Sequence, residues 1–85
     1  MLNVYPNPFN NVVTIEFTSQ KDAHAVLEIH NSLGQKVTTL LDRNVEQGVL
    51  NRVEYAPINQ ASGIYLYQLK LDNAVFVGKL IYNRD

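Results

Sequence analysis

Along the whole chain apolar residues return at every second position rather than every third or fourth, the period of strands with one face buried and the other in water. Val13, Ile15 and Phe17 alternate with Thr14, Glu16 and Thr18. Ala25, Leu27 and Ile29 alternate with His24, Glu28 and His30, with Val26 as the exception. Asn31-Ser32-Leu33-Gly34 then supplies turn chemistry, because Gly34 accepts a positive φ that other residues resist. Val37, Thr39 and Leu41 continue the alternation in a third long strand, and Asp42 to Gly48, with Asn44, Glu46 and Gln47, reads as a loop. In the next strand Val49, Val53 and Tyr55 share one face and Arg52 and Glu54 the other, until Pro57 removes an N–H donor and ends the ladder. Asn59-Gln60-Ala61-Ser62-Gly63 is a further turn. From Ile64 to Leu71 both faces carry apolar residues, as in a central strand covered on both sides or flanked by bulky neighbours. Asp72-Asn73 predicts a tight hairpin into a last strand over Ala74 to Tyr82.

With a short strand at Leu2 to Tyr5 the count reaches about seven, at the 8 to 12 residue spacing typical of an antiparallel β-sandwich. The expected class is all-β. Without a linker, repeat or low-complexity tract, residues 1–85 read as one domain, small enough for a single core to be marginal.

Seven Lys plus Arg against eight Asp plus Glu leave a net charge of -1, with no run of one sign. Such a surface has no basic field to hold nucleic acid or an anionic membrane. The absence of cysteine excludes a disulfide framework and a thiolate metal site. Uninterrupted apolar stretches such as Ile64 to Tyr67 fall far short of the roughly 20 residues that span a bilayer as a helix. The opening Met1-Leu2-Asn3-Val4-Tyr5-Pro6 lacks the basic and apolar regions of a secretory signal.

Candidate chemistry is sparse. His24 and His30 are six residues apart on one strand, about 20 Å, too far to share a metal. Ser19, Ser32 and Ser62 offer hydroxyls, but none stands in a strand-turn-helix elbow. Glu16, Glu28 and Glu54 each fall on an expected solvent face, and a chain of this size has little room for a cleft that opposes two of them. Asp72-Asn73 supplies too few oxygens for calcium. No catalytic residue, metal site or cofactor is expected. Tyr65, Tyr67, Phe76 and Tyr82 would stack on a sugar if they shared an exposed face, and would otherwise fill a core that has no Trp.

Four motifs stand out instead. Tyr5-Pro6-Asn7-Pro8-Phe9-Asn10 is a stiff entry to the first long strand, with Tyr5 and Phe9 expected as apolar pegs at one end and the segment as a cap against strand addition. Then come Asn31-Ser32-Leu33-Gly34-Gln35-Lys36-Val37, Ala61-Ser62-Gly63-Ile64-Tyr65-Leu66-Tyr67-Gln68-Leu69, and Val77-Gly78-Lys79-Leu80-Ile81. In this order and spacing they closely resemble the type A C-terminal sorting domain of the type IX (Por) secretion system of Bacteroidetes and relatives. His30, where the family usually has an aromatic residue, and Tyr55, where it often has Trp, depart from the pattern.

The resemblance implies an immunoglobulin-like sandwich that serves as an address. Its larger cargo, carried as N-terminal domains, would reach the periplasm through its own signal peptide. The outer-membrane translocon would then recognise the domain, and a sortase would cut before it and leave the cargo at the cell surface. Pro6, Asn7, Pro8, Gly34, Gln35, Gly63, Tyr65 and Lys79 are the expected recognition residues, most of them determinants of backbone shape, with Lys79 the best charged contact. Two alternatives stay open: an assembly module like the immunoglobulin-like domain of the flagellar hook-capping protein, and a carbohydrate-binding accessory module. Free strand edges would also let isolated copies pair weakly.

Overall fold

The computed structural model describes residues 1–84. Seven strands form where the alternation places them: β1 (Leu2–Tyr5), β2 (Val13–Phe17), β3 (Ala23–Asn31), β4 (Lys36–Val45), β5 (Asn51–Tyr55), β6 (Gly63–Leu71) and β7 (Ala74–Tyr82). They make two sheets, ordered β1-β2-β5 and β4-β3-β6-β7, with every pairing antiparallel. This is an all-β sandwich of the immunoglobulin-like kind.

The core lies between the sheets. β2 gives it Val13, Ile15 and Phe17, β3 gives Ala25, Leu27 and Ile29, and Leu69 and Leu80 come from β6 and β7; all eight are at most 1% exposed. Burying each of the Val, Ile, Leu and Phe side chains among them stabilises the fold by about 1.5–3 kcal/mol. Tyr65, Tyr82 and Phe9 close one end of the core, with Phe9 and Tyr82 stacked at 5.1 Å between ring centroids and Tyr65 tilted against Tyr82 at 6.4 Å.

Four local expectations give way. The register of β3 against β4 slips twice, so that Leu40 and Val37 are extra residues on β4. Thr39 consequently turns to water opposite Glu28, and Val37, Leu40 and Leu41 pack against the core. β-bulges of this kind break strict alternation and bend an edge strand. The expected loop from Asp42 begins only after Val45, because Asp42, Arg43 and Asn44 still pair with Val26, Ala25 and His24. Val49, expected inside, lies before β5 and is exposed, while Asn51 takes the buried place. The Asn51 amide is satisfied there, donating to the Val49 carbonyl at 3.1 Å and accepting from Arg43 Nη2 at 3.1 Å. Glu16, expected in water, is covered instead by Arg52, whose Nε and Nη2 donate to Oε2 at 2.8 and 2.7 Å.

β6 is an inner strand flanked by β3 and β7; its outer face carries Ile64, 47% exposed, so the strand is flanked by neighbours rather than covered on both sides. The Asp72-Asn73 hairpin forms, with Asp72 at φ +53°. Its carboxylate accepts the His24 N–H at 2.8 Å and its own N–H donates to the His24 carbonyl at 3.0 Å, which pins the hairpin to the start of β3.

Candidate recognition surface

The four sequence motifs, with contacts between residues up to 74 apart, meet at one end of the four-stranded sheet. Register puts them in a row: Lys36 lies opposite His30, His30 opposite Leu66, and Leu66 opposite Lys79. Alternation carries these four side chains to the outer face, away from the core. In the neighbouring row Asn31 faces Tyr65, and Tyr65 faces Leu80.

The Pro-rich segment completes the row. Both X-Pro bonds, Tyr5-Pro6 and Asn7-Pro8, are cis. Asn7 projects its amide onto the outer edge of β7, where Nδ2 donates to the Lys79 carbonyl at 2.8 Å and Oδ1 accepts the Ile81 N–H at 2.9 Å. Two residues on, the Phe9 N–H donates to the Ile81 carbonyl and the Phe9 carbonyl accepts the Asn83 N–H, both at 2.9 Å. The segment therefore acts as a short eighth strand in which one side chain replaces a peptide group. That is the expected cap against strand addition. Of the two expected pegs only Phe9 is buried; Tyr5 is 44% exposed and lies against Glu16, where the carboxylate raises its hydroxyl pKa.

The first turn is built around one side chain. Asn31 Oδ1 accepts the N–H groups of Leu33 and Gln35, both at 3.0 Å, and Nδ2 donates to Gln35 Oε1 at 2.9 Å. Gly34 takes φ +83°, where an L side chain would strain the backbone. Leu33, 82% exposed, stands at the tip. The second turn, running into Gly63 at φ +149°, is held by Tyr65, whose hydroxyl donates to the Ala61 carbonyl at 2.6 Å. Arg84 N–H donates to Ser62 Oγ at 2.8 Å and ties this turn to the end of β7.

Of the expected recognition residues, Pro6, Asn7, Pro8, Gly34, Gln35, Gly63 and Lys79 are exposed. Tyr65 is buried and can act on a partner only through the turn it fixes. The aromatic residues do not share an exposed sugar-stacking face: Tyr65 and Tyr82 are core, the Tyr67 ring lies over Gly78, and of the four only Phe76, at 44%, is exposed. The histidines stay apart. His24 stands between Asn44 Oδ1, 2.8 Å from Nδ1, and Asp42 Oδ1, 2.7 Å from Nε2, and these two neighbours raise its pKa. His30 lies between Glu28 and the Gly34 carbonyl. Among the described residues no group of three His, Asp or Glu could hold a metal, and no helix is long and apolar enough to cross a membrane.

The sequence model of one family, the secretion system C-terminal sorting domain, matches residues 3–83. This chain belongs to that family. The sorting domain is thus a non-catalytic signal of the Por, or type IX, secretion system, and its membership implies a destination at the cell surface or outside the cell. Among solved structures it is similar to part of dimeric latent PorU from Porphyromonas gingivalis. The TM-score is 0.74 at 18% identity, with 99% of the sorting domain matched and 9% of the PorU chain. That likeness shows a shared fold. No curated protein matches the chain.

Proposed function

We propose that residues 1–85 form one terminal domain of a larger exported protein and that the type IX translocon reads it as a folded surface. Its N-terminal cargo domains would cross the periplasm with it, and a sortase would detach it once the cargo reaches the outer-membrane surface. The observation that carries this reading is the convergence of Asn7, Gly34, Gln35, Gly63 and Lys79, from four segments, on one end of one sheet. Six of the eight proposed recognition residues fix backbone shape or join segments: Pro6, Pro8, Gly34, Gly63, Asn7 and Tyr65. A linear peptide would keep their order and lose their arrangement.

Fusion of the domain to a periplasmic reporter in a type IX-competent host tests this. Lys79→Ala and Asn7→Ala are expected to lower surface delivery at least tenfold while the purified variants stay folded. Leu27→Ala, which empties a core position at about 2–5 kcal/mol, is expected to abolish delivery by unfolding the surface. Delivery unchanged after deletion of residues 75–85 would overturn the reading.

A further inference from the structure

The sandwich has four edge strands, and three of them are blunted. β1 has four residues, β5 has five and runs into Pro57, and β4 carries two bulges and the charges of Lys36, Asp42 and Arg43. Short length, bulges, charge and proline are the means by which proteins keep edges from pairing. β7 is different: nine residues long, in unbroken register with β6, and capped by Asn7 and Phe9 only from Lys79 onward.

Ala74-Val75-Phe76-Val77 is the uncapped half. Lys79, Ile81 and Asn83 are the residues whose backbone groups meet the cap, so the two-residue repeat turns those of Val75 and Val77 outward as well. Nothing among the described residues pairs with them. The side chains are also bare, with Val75 at 52%, Phe76 at 44% and Val77 at 58% exposure, and no charge, proline or bulge interrupts the four residues.

We propose that this half-edge pairs with the same half-edge of a second copy, antiparallel about a two-fold axis at Phe76. Val75 then faces Val77 of the second copy, and the converse, so that each pair exchanges two backbone bonds, four in all. Phe76 meets its own copy in the narrow, non-hydrogen-bonded position, where facing side chains come closest. Lys79 falls opposite Asn73 of the second copy, in the turn just before its β7. An axis at Val77 would instead draw on the Lys79 carbonyl, which Asn7 already holds. The self-complementarity of this one register selects a second copy over an unrelated strand. The inference stands apart from the sorting role.

Sedimentation of the 85-residue chain tests the pairing. The weight-average mass is expected to climb from 9.6 kDa towards twice that value with rising concentration. Val77→Lys, on an exposed site, is expected to raise the dimer dissociation constant at least tenfold without lowering Tm. The natural chain has no cysteine, so single-cysteine variants report the register. Phe76→Cys is expected to form a disulfide-linked dimer at least tenfold faster than Val49→Cys, a control of similar exposure. A mass that stays at 9.6 kDa up to about millimolar concentration, the upper end of weak affinities, would overturn the proposal. So would equal cross-linking rates for the two variants, the first result being the one expected if only a foreign strand adds to β7.

Discussion

The Tyr55 hydroxyl is buried with no hydrogen-bond partner among the described residues, and burial raises its pKa. An unsatisfied buried donor costs about 1–3 kcal/mol. Tyr55→Phe keeps the ring and removes that cost, so it is expected to stabilise the domain by about 1 kcal/mol, or roughly 4–8 °C in Tm for a chain of this size. Calorimetry checks it, and an unchanged or lower Tm contradicts it. Two other residues set the pH response with opposite signs. The Arg52 guanidinium, and after it the Tyr5 hydroxyl, hold the Glu16 carboxyl below its ordinary 4.5. Its contribution to stability is complete above 4.5 and is lost as pH falls through the lower folded value. Asn44 and then Asp42 hold the His24 imidazole above 6.5; both present oxygens, to which only the imidazolium donates from both nitrogens at once. That contribution is complete below 6.5 and is lost as pH rises through the higher folded value. Tm followed from pH 3 to 8 is therefore expected to fall at both ends, with Arg52→Gln flattening the acid arm and His24→Gln the alkaline one.

Among the strands, β7 shows how one glycine is fixed by its neighbour. Gly78 stands directly opposite Tyr67, and a Cβ there would fall on the Cζ and Oη of that ring. Gly→Ala in an open strand gains about 0.5–1 kcal/mol. Overpacking against a half-buried ring costs about 1–3 kcal/mol, so Gly78→Ala is expected to destabilise the domain on balance; denaturant unfolding measures the sign, and a gain in stability contradicts the close approach. The strands that alternation specified well are those with one wet face, β2 and β3, whose core residues Val13 to Phe17 and Ala25 to Ile29 all fall as read. β4 was legible only in part. Its bulges place Val37, Leu40 and Leu41 inward at a spacing no single period describes, and Asp42-Arg43-Asn44 carries no apolar signal although all three residues still pair with β3. Asn51 and Glu16 were illegible for a related reason. Each is a polar residue whose burial depends on one partner, Arg43 or Arg52, that lies on another strand.

At the scale of the whole molecule, motif order disclosed the family, and the turn-forming residues disclosed where shape is specified. What the chain alone did not disclose is that the motifs share one end. Their juxtaposition depends on strand order, which places β7 beside β6 and both beyond β3, and on the contact between Asn7 and a strand 72 residues later. Local turn chemistry, being set by neighbours in sequence, was legible; a shared edge is set by topology and was not. The contact between Asn7 and β7 has a consequence for when such an address exists. The ribosome makes Asn7 among the first residues of the domain and Lys79 and Ile81 among the last, so the joined edge cannot assemble on a growing or truncated chain. On the reading proposed above, a machine that binds this edge binds only a domain whose two ends have already come together, and so inspects the fold in the act of recognising it.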